Sequence, residues 1–159
     1  MAYAGGVAGT IVVGVDGSPE SQAALRWAVE EAALRDARLV AVWAWTFVPP
    51  APIAEPGMIP VPAMDYLGAS DAERAAVEEE FETALRSALP TAPEVDIERK
   101  LVEGDPAHVL ESEARDVDLV VVGSRGRSGI AAALLGSVSK HVVDHAPCPV
   151  VVVKAPRDA

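Results

Sequence analysis

An α/β fold, a five-stranded parallel sheet with helices on both faces, is what this sequence predicts, on three observations. Strand-like apolar runs alternate with helix-like stretches, and that alternation implies right-handed crossovers and a parallel sheet. Two of the runs, Thr10 to Val15 (TIVVGV) and Leu119 to Gly123 (LVVVG), lack inside-outside alternation, as strands covered on both faces do. Helix starts built from a capping residue and a proline, Ser18-Pro19 and Asp105-Pro106, follow strand-like runs.

Strand one is Thr10 to Val15; the helix after Pro19 places Ala24, Leu25, Ala28, Val29 and Ala32 on one stripe and ends near Arg35 and Asp36. Strand two is Arg38 to Trp45. From Thr46 to Pro62 six prolines forbid regular structure, so a long loop is expected there. Ser70 with Glu73 forms a capping box before a helix whose Val77, Phe81, Leu85 and Leu89 repeat every fourth residue, closed by Pro90 and Pro93. Strand three, Val95 to Val102, alternates apolar and charged residues and belongs at a sheet edge. The helix from Pro106 reaches about Arg115, Leu119 to Gly123 is strand four, Ser137 to His145 is a short helix, and Pro149 to Lys154 is the last strand. Ligands of such sheets sit beyond the carboxyl ends of the strands, here near Asp16, Ala44, Gly104 and Gly123.

Composition narrows the function. At 159 residues, 50% hydrophobic and 23% charged, the chain reads as one domain over 1–159 with a full core. Its net charge of −11 disfavours a nucleic-acid partner, whose phosphates are held by Lys and Arg. No run approaches the apolar length of a membrane span, and one cysteine permits no intrachain disulfide, so a soluble cytoplasmic protein is expected.

The stretch Gly123-Ser-Arg-Gly126-Arg-Ser-Gly129, followed by Gly136-Ser137 at a helix start, carries the chemical signal. Glycines let backbone amides approach an anion, and a helix start adds unpaired N–H groups and the positive pole of its dipole. Val120 to Ala159 holds five cationic side chains against Asp144 and Asp158, a local +3 in an acidic chain. Neither a Walker loop nor a G-x-G-x-x-G after strand one is present. Ser137 reads either as an N-cap or as a phosphate hydroxyl, since both uses share one helix pole. Asp16 reads either as a turn aspartate or as an acceptor at the switch point.

Gly123-x2-Gly126-x9-Gly136-Ser137 matches the G-2x-G-9x-G-[ST] signature of the ATP-binding branch of the universal stress protein family. The resemblance extends over IVVGVDGSPES, VEGDPAHVL, VVVGSRGRSG and LLGSVSKHVVDHAPCPVVVVK. It implies an adenine-nucleotide α-hydrolase-like sheet of order 3-2-1-4-5, ATP as ligand with Mg2+ or Mn2+, and a homodimer through the last strand. Carried over residue by residue, Asp16 holds the ribose, Gly14 borders the base, and the backbone around Ala44 meets adenine. Gly123, Gly126, Gly136, Ser137, Val138 and Ser139 surround the phosphates. The implied role is a non-catalytic, nucleotide-dependent stress-response regulator with a regulatory protein partner not identified by sequence. Two alternatives differ in class: an enzyme acting on ATP, whose relatives carry an SGGxDS-type loop where this chain reads GVDGSPES, and an interaction module without nucleotide, marked by loss of the glycine signature kept here.

Other conspicuous residues take bland readings. Arg125 and Arg127 are expected as solvated loop arginines outside the immediate ligand contacts, able to swing onto a triphosphate, and Trp27, Trp43 and Trp45 as core. His108, His141 and His145 are expected at surfaces and helix ends without a zinc site. Cys148, between two prolines, is expected to pack rather than to do redox chemistry.

Overall fold

The computed structural model describes residues 9–48, 69–127 and 135–156. The expected tail at 1–8, most of the proline-rich loop (49–68) and the stretch 128–134 lie outside the described residues. Five strands, β1 (Thr10–Gly14), β2 (Arg38–Trp45), β3 (Ile97–Glu103), β4 (Leu119–Gly123) and β5 (Val150–Val153), form one parallel sheet in the order β3-β2-β1-β4-β5. Between them run α1 (Pro19–Arg35), α2 (Asp71–Ala88), α3 (Pro106–Glu113) and α4 (Ser137–His145). The predicted fold class, strand order and edge position of strand three hold.

Boundaries shift for local reasons. Strand one ends at Gly14 rather than Val15, because Val15 makes only one further bond, N–H to Val42 O at 2.9 Å, before the chain turns. β3 spans 97–103 instead of 95–102, following its partner: Leu39 pairs Ile97 at one end and Trp45 pairs Glu103 at the other. The last strand shortens to 150–153, with Pro149 contributing only its carbonyl, to Val120 N–H at 3.0 Å. α3 stops at Glu113 and not near Arg115.

Strand periodicity of two divides the sheet into two cores. Ile11, Val13, Leu39, Ala41, Leu119 and Val121 face α1 and α2 and meet Leu25, Ala28, Phe81 and Leu85. Val12, Val40, Val42, Val120 and Val122 face α3 and α4 and meet Val109, Leu110 and Val142. At the β3 edge, charge replaces apolar cover: Arg99 pairs with Glu82 on α2 at 2.8 Å and Lys100 with Glu113 on α3 at 2.7 Å. β1 and β4 sit side by side at the centre with crossovers leaving in opposite directions, and that divergence opens a cleft above their carboxyl ends.

Candidate functional site

The cleft encloses about 510 Å³, and Gly14, Asp16, Ala44, Gly123, Gly126, Gly136, Ser137, Val138 and Ser139 all line it. Each arrives there for a local reason. After Gly14 the chain turns through Gly17 at φ 80°, a left-handed angle that favours glycine, and Ser18 caps α1 by accepting the Ser21 N–H at 3.2 Å. Asp16 sits in that turn. Its Oδ1 accepts the Ser18 N–H at 2.9 Å, so the turn role is real, while its Oδ2 lies against Gly126. Asp16 therefore stands directly beside the glycine loop.

Ala44 owes its place to strand lengths. In a parallel ladder the backbone groups of successive residues point to alternate sides. Val42 O bonds toward β1 and Trp45 O bonds toward β3, so the N–H and C=O of Ala44 point to the β1 side. β1 has already ended there, at the level of Val42. Both groups of Ala44 thus face the cleft.

The glycine loop is held by one carbonyl. Ser124 O accepts the Gly136 N–H at 2.8 Å and the Ser139 hydroxyl at 3.1 Å, which fastens the start of α4 beside the end of β4. Ser139 is buried at 3% exposure and its proton is spent on this staple. Ser137 is the exposed first residue of α4, and the N-cap is Gly136, which has no side chain to cap with. α1, α2 and α3 start on side-chain caps from Ser18, Ser70 and Asp105, whereas among the described residues no side chain caps the first amides of α4, which border the cleft.

The glycines differ in purpose. A Cβ at Gly123 would meet the Glu20 carbonyl carbon at 2.7 Å and Ser21 N at 2.9 Å, so this glycine lets α1 pack on β4. At Gly14 it would meet Leu110 Cδ1 at 2.9 Å, again a packing need. At Gly126 it would meet only the Asp16 carboxylate, at 2.8 Å, inside the cleft. Gly126 is therefore the one glycine of the signature whose crowding contact is a functional group of the site.

Both loop arginines are ion-paired rather than merely solvated. Arg125 meets Glu20 at 3.2 Å, and Arg127 meets Glu80 at 3.0 Å. Arg127 Nε also donates to Asp16 O at 2.7 Å, and its guanidinium lies 5.2 Å from the centre of the Trp43 ring. Trp43 is core, tilted on Phe81 at 5.5 Å, and also lines the cleft, a double role its strand position did not announce.

The histidines assemble away from the cleft, on the α3–α4 face. His141 stacks on His145 with ring centres 4.2 Å apart, and His108 lies 5.1 Å from His141. His141 Nε2 donates to Glu111 at 2.7 Å, and that bond holds the Glu111 carboxyl below its ordinary range. The His108 backbone N–H, with its ring, does the same for Asp105, and Lys140 for Asp144. Burial pushes the Cys148 thiol up. No group of three or more His, Cys, Asp or Glu able to hold a metal ion occurs among the described residues. No described helix is long and apolar enough to cross a membrane.

Comparison with known proteins agrees with this geometry. Residues 8–154 match the family model described as the universal stress protein family. Universal stress proteins Rv2005c and Rv1996 of Mycobacterium tuberculosis are each 36% identical, over 148 and 152 residues, covering 91% and 93% of this chain. The matches cover 45% and 44% of those relatives, so the chain spans about half their length. Among solved structures, universal stress protein UspA from Lactobacillus plantarum superposes with a TM-score of 0.69 at 28% identity, covering 94% of this chain and 99% of that one. A universal stress protein solved in complex with cAMP gives 0.61 at 29% identity, covering 95% and 100%. The chain belongs to the universal stress protein family.

Proposed function

We propose that this member of the universal stress protein family binds ATP in the cleft and works as a non-catalytic, nucleotide-dependent stress-response regulator in the cytoplasm. The observation that carries the reading is the uncapped start of α4, stapled to Ser124 O so that its free amides border the cleft beside Gly126. Those amides, with the dipole of α4, suit an anion. Adenine meets the backbone of Ala44 and the ribose meets Asp16 Oδ2. The triphosphate runs along Gly126, Gly136, Ser137 and Val138. Ser139 contributes through its staple and its amide rather than its hydroxyl. A relative of similar fold binds cAMP, which supports an adenine nucleotide as the ligand class. The signature spacing favours the triphosphate. Mg2+ or Mn2+ would accompany it on the phosphate oxygens.

Mass spectrometry of gently purified protein for carried-over nucleotide, followed by calorimetry with ATP and cAMP, tests the reading. Bound adenine nucleotide with ATP preferred is expected; a protein that binds neither is an interaction module instead.

The proposed assembly is a homodimer through β5. This strand lies at the sheet edge with four half-buried valines, and an open strand edge is a template for pairing. Replacing Val151 and Val153 with lysine should shift sedimentation toward monomer. A wild type already monomeric at about micromolar concentration, a usual range for weak association, removes the proposal.

A further inference from the structure

Among the described residues, the charged side chains lining the cleft are Asp16, Glu80, Arg125 and Arg127. The two arginines are not equivalent. Arg125 pairs with Glu20, whose side chain is 13% exposed and whose backbone packs on Gly123, so this pair is built into the α1–β4 contact. Arg127 and Glu80 are 62% and 57% exposed, and an ion pair so open to water is weak and readily exchanged. The Arg127 side chain nevertheless spans the cleft: it lies over Trp43 of β2, donates to Asp16 O in the β1–α1 turn, and reaches Glu80 on α2.

A guanidinium in this position has two competing anions, the Glu80 carboxylate and any phosphate on the adjacent glycine loop. Phosphate oxygens match its donor fork and carry more charge than a carboxylate. A single phosphate beside Gly126 is served by backbone amides. Each further phosphate adds negative charge that, with Arg125 committed to Glu20, Arg127 alone among the described cleft-lining side chains is placed to answer.

We infer that Arg127 is a specificity-determining latch that reads phosphate number, closed on Glu80 in the free protein and transferred from Glu80 to the phosphates when a di- or triphosphate binds. Transfer releases α2 from the glycine loop, so the charge of the bound nucleotide is reported at Glu80, on the helix that follows the proline-rich segment. The inference rests on the proposal that the cleft takes an adenine nucleotide.

Calorimetry with ATP, ADP and AMP on the wild type, Arg127→Gln, Glu80→Gln and the double variant tests it. Arg127→Gln should weaken ATP by about 10-fold, the size of one charge-assisted hydrogen bond, and leave AMP within about twofold. Glu80→Gln should tighten ATP about threefold, the size of an exposed ion pair, and this gain should vanish in the Arg127→Gln background. Arg127→Lys should restore part of the ATP preference. Equal losses for ATP and AMP in Arg127→Gln would mean a structural tether and overturn the latch. A Glu80→Gln gain that persists without Arg127 would mean simple repulsion and overturn it as well. If AMP and ATP bind but no variant changes their ratio, the latch fails while the cleft stands; if no adenine nucleotide binds, the cleft assignment fails first and takes the latch with it.

Discussion

Replacing Gly126 with valine isolates the glycine whose crowding contact is chemical. A Cβ there would lie 2.8 Å from Asp16 Oδ2, closer than carbon and oxygen tolerate, so one of them must move. The loop backbone is anchored nearby through Gly136 and Ser124, whereas Asp16 is a side chain held by one bond, Oδ1 to Ser18 N–H at 2.9 Å. The carboxylate therefore swings away and leaves the ribose position. One hydrogen bond to a charged acceptor contributes about 1.5–3 kcal/mol, so ATP affinity should fall about 10- to 100-fold. Overpacking costs about 1–3 kcal/mol in a tight core, but Gly126 is half-exposed and the stability loss should sit at the low end. Gly126→Ala, which adds only the Cβ, should fall between. Calorimetry with ATP, with circular dichroism as the folding control, reads the result. A folded Gly126→Val protein that binds ATP within about twofold of wild type would refute both the Asp16 role and the loop assignment.

Three further outcomes follow from the same structure. Glu111, Asp105 and Asp144 are held below their ordinary range in the fold, so their stabilising contribution is present above the unfolded carboxylate pKa and is lost as pH falls through the folded values. Urea midpoints should drop between about pH 6 and about pH 3, and Glu111→Gln should flatten part of that slope; an unchanged slope would remove the His141–Glu111 bond as a cause. Cys148, its thiol pushed up by burial, should alkylate with iodoacetamide more slowly at neutral pH than a free thiol, and equal rates would contradict its packing role. ATP turnover in a single-turnover assay should be slower than about 1 per second, the low end of ordinary enzyme rates; faster release that Gly126→Val abolishes would make the protein an enzyme.

The fold was legible because its signals are local. Two-faced valine runs mark β1 and β4, Ser18-Pro19 and the Ser70–Glu73 box mark helix starts, and Val95 to Val102 betrays its edge position by alternation. Strand ends were less legible because a strand stops where its neighbour does: β3 ends level with Trp45 of β2, a partner more than fifty residues earlier in the chain. The histidine cluster shows the same limit. The spacing of His141 and His145 puts them on one helix face, but the approach of His108 and Glu111 depends on how α3 packs beside α4.

At the site, the motif named the residues and the chain's return path decided their use. Gly123, Gly126 and Gly136 look alike in a signature, yet one accommodates a helix backbone, one a carboxylate and one leaves a helix start uncapped. Nothing in the spacing of Asp16 and Gly126 announces their contact, and nothing in Arg127 announces Glu80, because both pairings cross the top of the sheet. The contact brings a carboxylate to the loop, and this bears on chemistry. A general base must lie within hydrogen-bond reach of the attacking water, which must itself approach in line with the leaving oxygen. Glu20 is paired with Arg125, and Asp16 Oδ1 is committed to Ser18. Glu80 stands on α2 rather than on the glycine loop, so among the described carboxylates Asp16 Oδ2 is the one against Gly126, and in the proposed pose it accepts the ribose hydroxyls. One oxygen cannot serve the sugar and a water at the terminal phosphate together, so the same contact that fixes the nucleotide argues for occupancy over turnover.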